Sequence, residues 1–169
     1  VIDDCFAVCG GIDMTGDRWD RCAHADHDPD RVRPSGRPYG PWHDATMAVD
    51  APLARAISEV ARDRWWRATG EELPPIEGAA PIWPHGLEPQ FQGSRFAVAR
   101  TRAAFRDWEE IREVEALFLD MIAAARRFIY AENQYFTSPK IAAAILRRME
   151  EPDPPEIVLV GPIKAEGWL

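Results

Sequence analysis

Residues 109–160 read EEIREVEALFLDMIAAARRFIYAENQYFTSPKIAAAILRRMEEPDPPEIVLV, and this stretch decides the fold class. Glu109 to Arg127 places Val114, Leu117, Phe118, Met121, Ile122 and Ala125 at helical spacing, which predicts an amphipathic helix. Phe128 to Ala131 is a short apolar run closed by the polar corner Glu132-Asn133-Gln134, as expected of a buried strand and its exit. Ser138-Pro139 starts a second helix, with Ile141, Ile145 and Met149 inward. Pro152 to Pro155 ends that helix, and Glu156 to Val160 is a second buried strand. Helix, strand, helix and strand in this order predict an α/β sheet with parallel strands in the second half of the chain.

Towards the N-terminus the pattern is looser. Phe96 to Ala99 is a strand candidate, and Gly70 to Gly93 holds five of the fifteen prolines with little periodicity. That segment reads as a connection between two structural units, residues 1–69 and 94–169. Leu53, Ile57, Val60, Ala61 and Trp65 predict a helix with one apolar stripe, capped by Asp50 and with Pro52 in its first turn. Ala45 to Val49 is a short strand before it. Gly16 to Pro41 is rich in Asp, Arg, Pro and His and reads as a long loop, which in a compact domain is more often functional than idle. Val1 to Cys9 is an apolar run ending in Gly10-Gly11, a buried strand followed by a tight turn. No internal repeat is visible.

Composition narrows the class. The chain has 169 residues, 46% apolar and 28% charged, which is ordinary for a globular protein with a real core. It contains no run of about eighteen apolar residues, so no membrane span is expected, and no secretory signal pattern is visible. It begins Val-Ile-Asp-Asp, like a segment that starts inside a strand. A net charge of −8 argues against a duplex-binding module and leaves open an enzyme acting on one buried phosphodiester. Cys5, Cys9 and Cys22 are odd in number and have no paired spacing, which disfavours a disulfide scaffold and leans towards the cytoplasm.

Four constellations carry chemistry. Asp3, Gly10-Gly11 and Asp13 put two glycines at a strand end beside carboxylates, where backbone N–H groups can approach an anion. The same grouping occurs in many α/β proteins with no site. In Pro41-Trp42-His43-Asp44, His43 and Asp44 alternate across a strand entrance, so one faces a site and the other solvent or core. Asp44 is the better site candidate, because a lone His so placed is usually structural. Glu132, Asn133 and Gln134 stand where α/β folds place ligands, outside the carboxyl ends of strands, and Asn and Gln suit phosphate oxygens or hydroxyls. A satisfied turn accounts for them equally well. Asp20, Cys22, His24, Asp26, His27, Asp28 and Asp30 are ligand types suited to zinc, but Cys-x-His-x-x-His is not a standard zinc spacing, and a solvated acidic loop is the plainer reading.

Together these segments resemble the phospholipase D superfamily, whose active motif is His-x-Lys-x-x-x-x-Asp followed after six residues by Gly-Gly or Gly-Ser. Val1-Ile2-Asp3 looks like the tail of that motif, and Gly10-Gly11 falls at the matching spacing. Gly10-Gly11-Ile12-Asp13 is similar to the Gly-Gly-x-Asp of lipid-hydrolysing members, with Asp13 where others carry an Asn that lines the phosphate site. Pro41-Trp42-His43-Asp44 looks like the family's Pro-Trp-His-Asp segment. Ile129 to Phe136 is similar to the family's Ile-Glu-Asn-Gln-Tyr-Phe segment with Ala131 in place of an Ile, and Ile157 to Leu169 resembles the stretch leading to a second motif.

The resemblance implies a phospholipase D-like fold, with the chain spanning parts of two homologous α/β halves. It implies hydrolysis or transphosphatidylation of glycerophospholipids at a membrane surface, without a metal or other cofactor and without a nucleic-acid partner, in the cytoplasm or at a membrane periphery. Asp3 would be the motif's Asp and Asp44 the orienter of the first catalytic histidine. Gly10, Gly11 and Asp13 would form the floor of the site, with His43 beside them, and Glu132, Asn133 and Gln134 the opposite wall. None of His24, His27, His43 and His85 has a Lys two residues on, so both catalytic His-x-Lys pairs fall outside these residues and the chain alone is expected to be inactive. The rivals are a cardiolipin synthase-like phosphatidyltransferase, a nuclease that the acidic balance disfavours, and a non-catalytic α/β binding remnant.

Overall fold

The computed structural model describes residues 1–13 and 15–163 as two compact units, Val1–Val98 and Ala99 onward. Together the described residues form a mixed α/β structure of three helices and three two-stranded sheets.

In the first unit, β1 (Phe6–Gly10) and β2 (Thr46–Asp50) pair antiparallel, with Phe6 opposite Asp50 and Gly10 opposite Thr46. The strand expected from Val1 begins later because Ile2 to Cys5 form a tight turn. Asp3 and Asp4 both take positive φ, 46° and 56°, and the Phe6 N–H reaches the Ile2 carbonyl at 3.1 Å. Two consecutive left-handed residues suit the right-handed twist of the strands they join, and Asp tolerates that conformation better than most residues.

Helix α1 (Leu53–Thr69) follows β2 and stops at Gly70, whose φ of 77° lets its N–H return to the Trp66 carbonyl at 2.7 Å. Pro52, not Asp50, is the capping position, because Asp50 is held extended in the ladder opposite Phe6. The buried line of α1 is Ala54 and Ser58, with Leu53 and Ile57 beside it, while Ala61 and Trp65 of the expected stripe are exposed. The polar offset has a cause. Asp4 is only 2% exposed, and its carboxylate accepts hydrogen bonds from the Ser58 hydroxyl and the Arg62 guanidinium, i and i+4 on the helix. A buried carboxylate must be paired, so α1 turns its donors inwards at the expense of its apolar stripe.

The proline-rich segment is bound to this same unit. The Ile76 N–H donates to Asp4 at 3.0 Å, the Cys5 thiol points at the Ala79 carbonyl at 3.5 Å, and Trp83 meets Phe6 edge-on at 5.6 Å between ring centroids. Residues 70–93 are therefore a strap over β1, and the boundary between the units falls after Val98.

In the second unit, β3 (Thr101–Arg102) pairs antiparallel with β4 (Ile111–Arg112), which leads into α2 (Glu113–Ala124). The helix starts four residues later than its periodicity suggests, because Ile111 and Arg112 are drawn into this pairing. Arg100 then fixes the start by forking onto Glu113, with Nη2 to Oε1 at 2.6 Å and Nε to Oε2 at 3.0 Å. Those bonds hold the Glu113 carboxyl below its ordinary range. The candidate strand Phe96 to Ala99 does not form.

A parallel pair, β5 (Phe128–Glu132) and β6 (Glu156–Val160), is connected through α3 (Pro139–Met149), a βαβ unit as expected. The Ser138 hydroxyl caps α3 by accepting the Ile141 N–H, and Pro139 occupies the first turn. Ile122, Ala144 and Ile145 make the core, joined by Leu119, Ile129, Ile141 and Ile157. Arg148 satisfies the end of α2 by donating to the Ala123 and Ala125 carbonyls at 2.9 and 2.6 Å. Four expected core contributors do not enter it: Met149 and, on α2, Leu117, Phe118 and Met121 are exposed. The face of β5–β6 away from Ile129 and Ile157 is also open, with Phe128 68% and Tyr130 56% exposed and Val158 and Val160 beside them. Parallel strands are usually covered on both faces, so the second unit presents apolar surface on this side. Residues 164–169, part of the tail that resembles the approach to a second motif, lie outside the described residues.

Candidate functional site

The β1–β2 hairpin ends in the residues that the sequence singled out. Gly10 faces Thr46 so closely that a Cβ on Gly10 would stand 2.9 Å from the Thr46 Cβ and closer still to Oγ1. Gly11 abuts Asp44, where an added Cβ would meet Oδ2 at 3.1 Å. The two glycines thus let the chain following β1 lie directly against the segment preceding β2. Asp44 is exposed, and its Oδ1 accepts the Ala45 N–H at 2.7 Å, which fixes one oxygen and leaves the group at the hairpin end. His43 is exposed beside it, with its ring 6.2 Å from the ring of His24. Asp13 is exposed, and its carbonyl accepts the Thr15 N–H at 2.9 Å.

Asp3 is not brought to this end. It stands exposed on the turn before β1, and the five residues of that strand separate it from Gly11, a length of about 17 Å. Its neighbour Asp4, which the sequence reading passed over, takes the buried position. Hydrogen bonds from Ser58, Ile76 and Arg62, in that order of effect, overcome desolvation and lower its carboxyl from 3.8 to about 2. The available signal was the Asp3-Asp4 doublet ahead of an apolar strand, since two left-handed residues aim successive side chains to different sides of a turn.

The loop from Gly16 to Pro41 is solvent-exposed along most of its length, as expected, but it is organised around one buried arginine. Arg31 is 1% exposed and donates to Asp20 Oδ2 at 3.2 Å and to the carbonyls of Ala25 and Asp26 at 2.5 and 2.8 Å. The same Asp20 oxygen receives His24 Nδ1 at 2.8 Å and the Trp42 N–H at 3.4 Å, while Oδ1 takes the Arg21 N–H at 2.8 Å. Burial pushes the Asp20 carboxyl up, but the four donors together hold it below its usual value. Arg18 stacks over the Trp42 ring at 3.7 Å, and Arg21 pairs with Asp28 at 3.3 Å and also with Asp30. The carboxylates of Asp20, Asp28 and Asp30 in this loop are therefore engaged with arginines. Among the described residues no group of three or more His, Cys, Asp or Glu is placed to hold a metal ion.

In the second unit, Glu132 is the last residue of β5 and Asn133 and Gln134 follow it; all three are exposed. Asn133 donates its N–H to the Val160 carbonyl at 2.9 Å, and its Oδ1 accepts the Tyr135 N–H at 2.8 Å, an Asx turn. Glu132 accepts the Tyr130 hydroxyl at 2.6 Å, which raises the Tyr130 phenol above its ordinary value. The turn reading of this corner is thereby realised for Asn133, at the strand end where ligands of parallel sheets bind.

Among the described residues no helix is long and apolar enough to cross a membrane. No known family model matches the sequence, and no curated protein matches it either.

Proposed function

We propose that this chain is the central part of a phospholipase D-type phosphodiesterase, acting on glycerophospholipids by hydrolysis or head-group exchange through a phosphohistidine. The observation that supports this most directly is the contact of Asp44 with Gly11 at the open end of the β1–β2 hairpin. In this reading a histidine from outside the chain attacks phosphorus, the N–P bond forms, and the bond to the leaving alcohol breaks. A second histidine gives that alcohol its proton. Water or another alcohol then attacks phosphorus and releases the first histidine. Asp44 accepts a hydrogen bond from the nucleophile's other ring nitrogen, which keeps the attacking nitrogen neutral and aimed. The backbone at Gly10 and Gly11 lies under the phosphate.

The placement follows as peripheral to a membrane or cytoplasmic. Transfer between two phospholipids, as in a cardiolipin synthase-like enzyme, uses the same chemistry with a lipid alcohol as acceptor. The non-catalytic reading draws on a specific fact, that none of the chain's histidines has a lysine two residues on.

The test is to read the coding sequence on both sides of these residues and to assay the complete polypeptide on phosphatidylcholine vesicles with and without ethanol. Flanking His-x-Lys pairs with release of choline, and phosphatidylethanol when ethanol is present, are expected. Intact His-x-Lys pairs without phosphodiester cleavage, or flanks without those pairs, would refute the assignment.

A further inference from the structure

We propose that Asp20 is a positioning residue, seating Trp42, His43 and Asp44 at the end of the hairpin from a prefolded arm formed by residues 16–41. The arm has its own architecture. Val32 bridges Pro38, the Arg33 N–H meets the Arg37 carbonyl at 2.8 Å, and the Tyr39 N–H returns to the Arg31 carbonyl at 3.1 Å. The Tyr39 hydroxyl closes the base on the Trp19 carbonyl at 2.9 Å.

Within this frame Arg31 is the most deeply buried long side chain of the described residues, and its Nε finds no partner among them. A loop that only linked two strands would gain nothing from enclosing a guanidinium, because burial of a charge is unfavourable unless it organises its surroundings. Here it organises Asp20. The carboxylate joins three parts of the sequence through one oxygen: Arg31 on the far side of the arm, His24 on its near side, and the backbone N–H of Trp42.

Trp42 is the hinge between arm and site. Its N–H is held by Asp20, its indole lies under Arg18, and the next two residues are His43 and Asp44, the latter against Gly11. His24, oriented through Nδ1 by the same Asp20, stands next to the His43 ring. The geometry therefore runs from Arg31 through Asp20 to the main chain that delivers Asp44. Its catalytic meaning rests on the phosphodiesterase reading, but the positioning itself does not.

The experiment uses the full 169-residue chain with labelled histidines, comparing the native protein with Asp20→Asn and Asp20→Glu by NMR and amide exchange. Expected for Asp20→Asn are displaced His24 and His43 ring signals and Trp42 N–H exchange about tenfold faster, as for loss of a charged hydrogen bond. The His85 ring and the amides of β1 and α1 should stay unchanged, and Asp20→Glu should return part of the His43 shift. Unmoved His43 signals, or equal loosening of β1 and α1, would show Asp20 to be a general stability element and overturn the proposal. Should Asp20→Asn not fold, the native chain still decides. Its Trp42 N–H must exchange at least about tenfold more slowly than an unstructured amide, and an unprotected Trp42 N–H refutes the seating. Displaced His43 signals in a protein whose complete form cleaves no phosphodiester would leave the positioning intact and remove only the functional reading.

Discussion

A methyl group on Gly10 is the most discriminating change that the hairpin offers. In Gly10→Ala the new Cβ would lie 2.9 Å from the Thr46 Cβ and 3.1 Å from its Cα, against a comfortable carbon–carbon separation of about 3.5–4.0 Å. The Thr46 hydroxyl can rotate away, but its Cβ and Cα cannot, so the paired strands must separate by about half an ångström or more. Overpacking of this kind costs about 1–3 kcal/mol. Removing a glycine from a strand returns about 0.5–1 kcal/mol of backbone entropy, so the net loss is about 1–2 kcal/mol. For a domain near 100 residues that corresponds to a fall in Tm of about 5–15 °C. Circular dichroism melts of the native chain and of Gly10→Ala, Thr46→Gly and the double variant test the reasoning. In the double variant the side-chain part of the clash is gone, so its loss should be smaller than the sum of the single losses by about 1 kcal/mol. A Gly10→Ala protein that melts with or above the native one, or strictly additive losses, would show that the close approach to Thr46 does not exist.

Gly11→Ala should behave differently: its Cβ meets only the movable end of Asp44, at 3.1 Å, so Tm should fall by no more than about 3 °C while the Asp44 carboxylate carbon signal shifts. An unshifted Asp44 signal would contradict the contact. Asp4 has a depressed carboxyl, about 2 against 3.8, so the stability it lends is complete above pH 4 and disappears as pH falls towards 2. In acid titrations followed by β1 amide protection, Asp4→Asn should flatten the loss across that window, and an unchanged profile would exclude the linkage. Ile145→Ala opens a hole beside Ile122 and Ala144 and should destabilise the second unit by about 2–5 kcal/mol. Accelerated amide exchange along β5 and β6 is the readout, and native-like protection there would mean that this cluster is not the core.

What the sequence disclosed follows the range of the forces involved. The strands Phe128–Glu132 and Glu156–Val160 and the helix from Pro139 were legible because each is defined by its own residues: an apolar run, a Ser-Pro cap, a proline stop. The parallel pairing followed from the intervening helix. Segments whose conformation depends on distant partners were misjudged. Ile111 and Arg112 carry helical periodicity, yet pair with Thr101 and Arg102. The inward face of α1 is shifted by Asp4, some fifty residues earlier, and the proline-rich segment reads as a connection until Asp4, Cys5 and Phe6 are seen to hold it. At the candidate site, Gly10, Gly11 and Asp44 were picked out by residue type and meet in space, whereas Asp3 stands at the other end of β1. The Asp20–Arg31 node was missed because charged residues in a polar loop look solvated until their burial is known.

Asp4 has a consequence for the order of assembly. Its partners Ser58 and Ile76 lie 54 and 72 positions further along the chain. During vectorial synthesis the turn before β1 therefore emerges long before anything that can neutralise its carboxylate. The β1–β2 register cannot substitute for them, since it too closes over the whole arm from Gly11 to Ala45. Closure of such long loops precedes any energetic return, which slows folding and lengthens the time that apolar strands stay open to other chains. The first unit is thus built to complete itself late and all at once, when the strap arrives. A nascent chain halted before Ile76 is expected to be the species most in need of a chaperone.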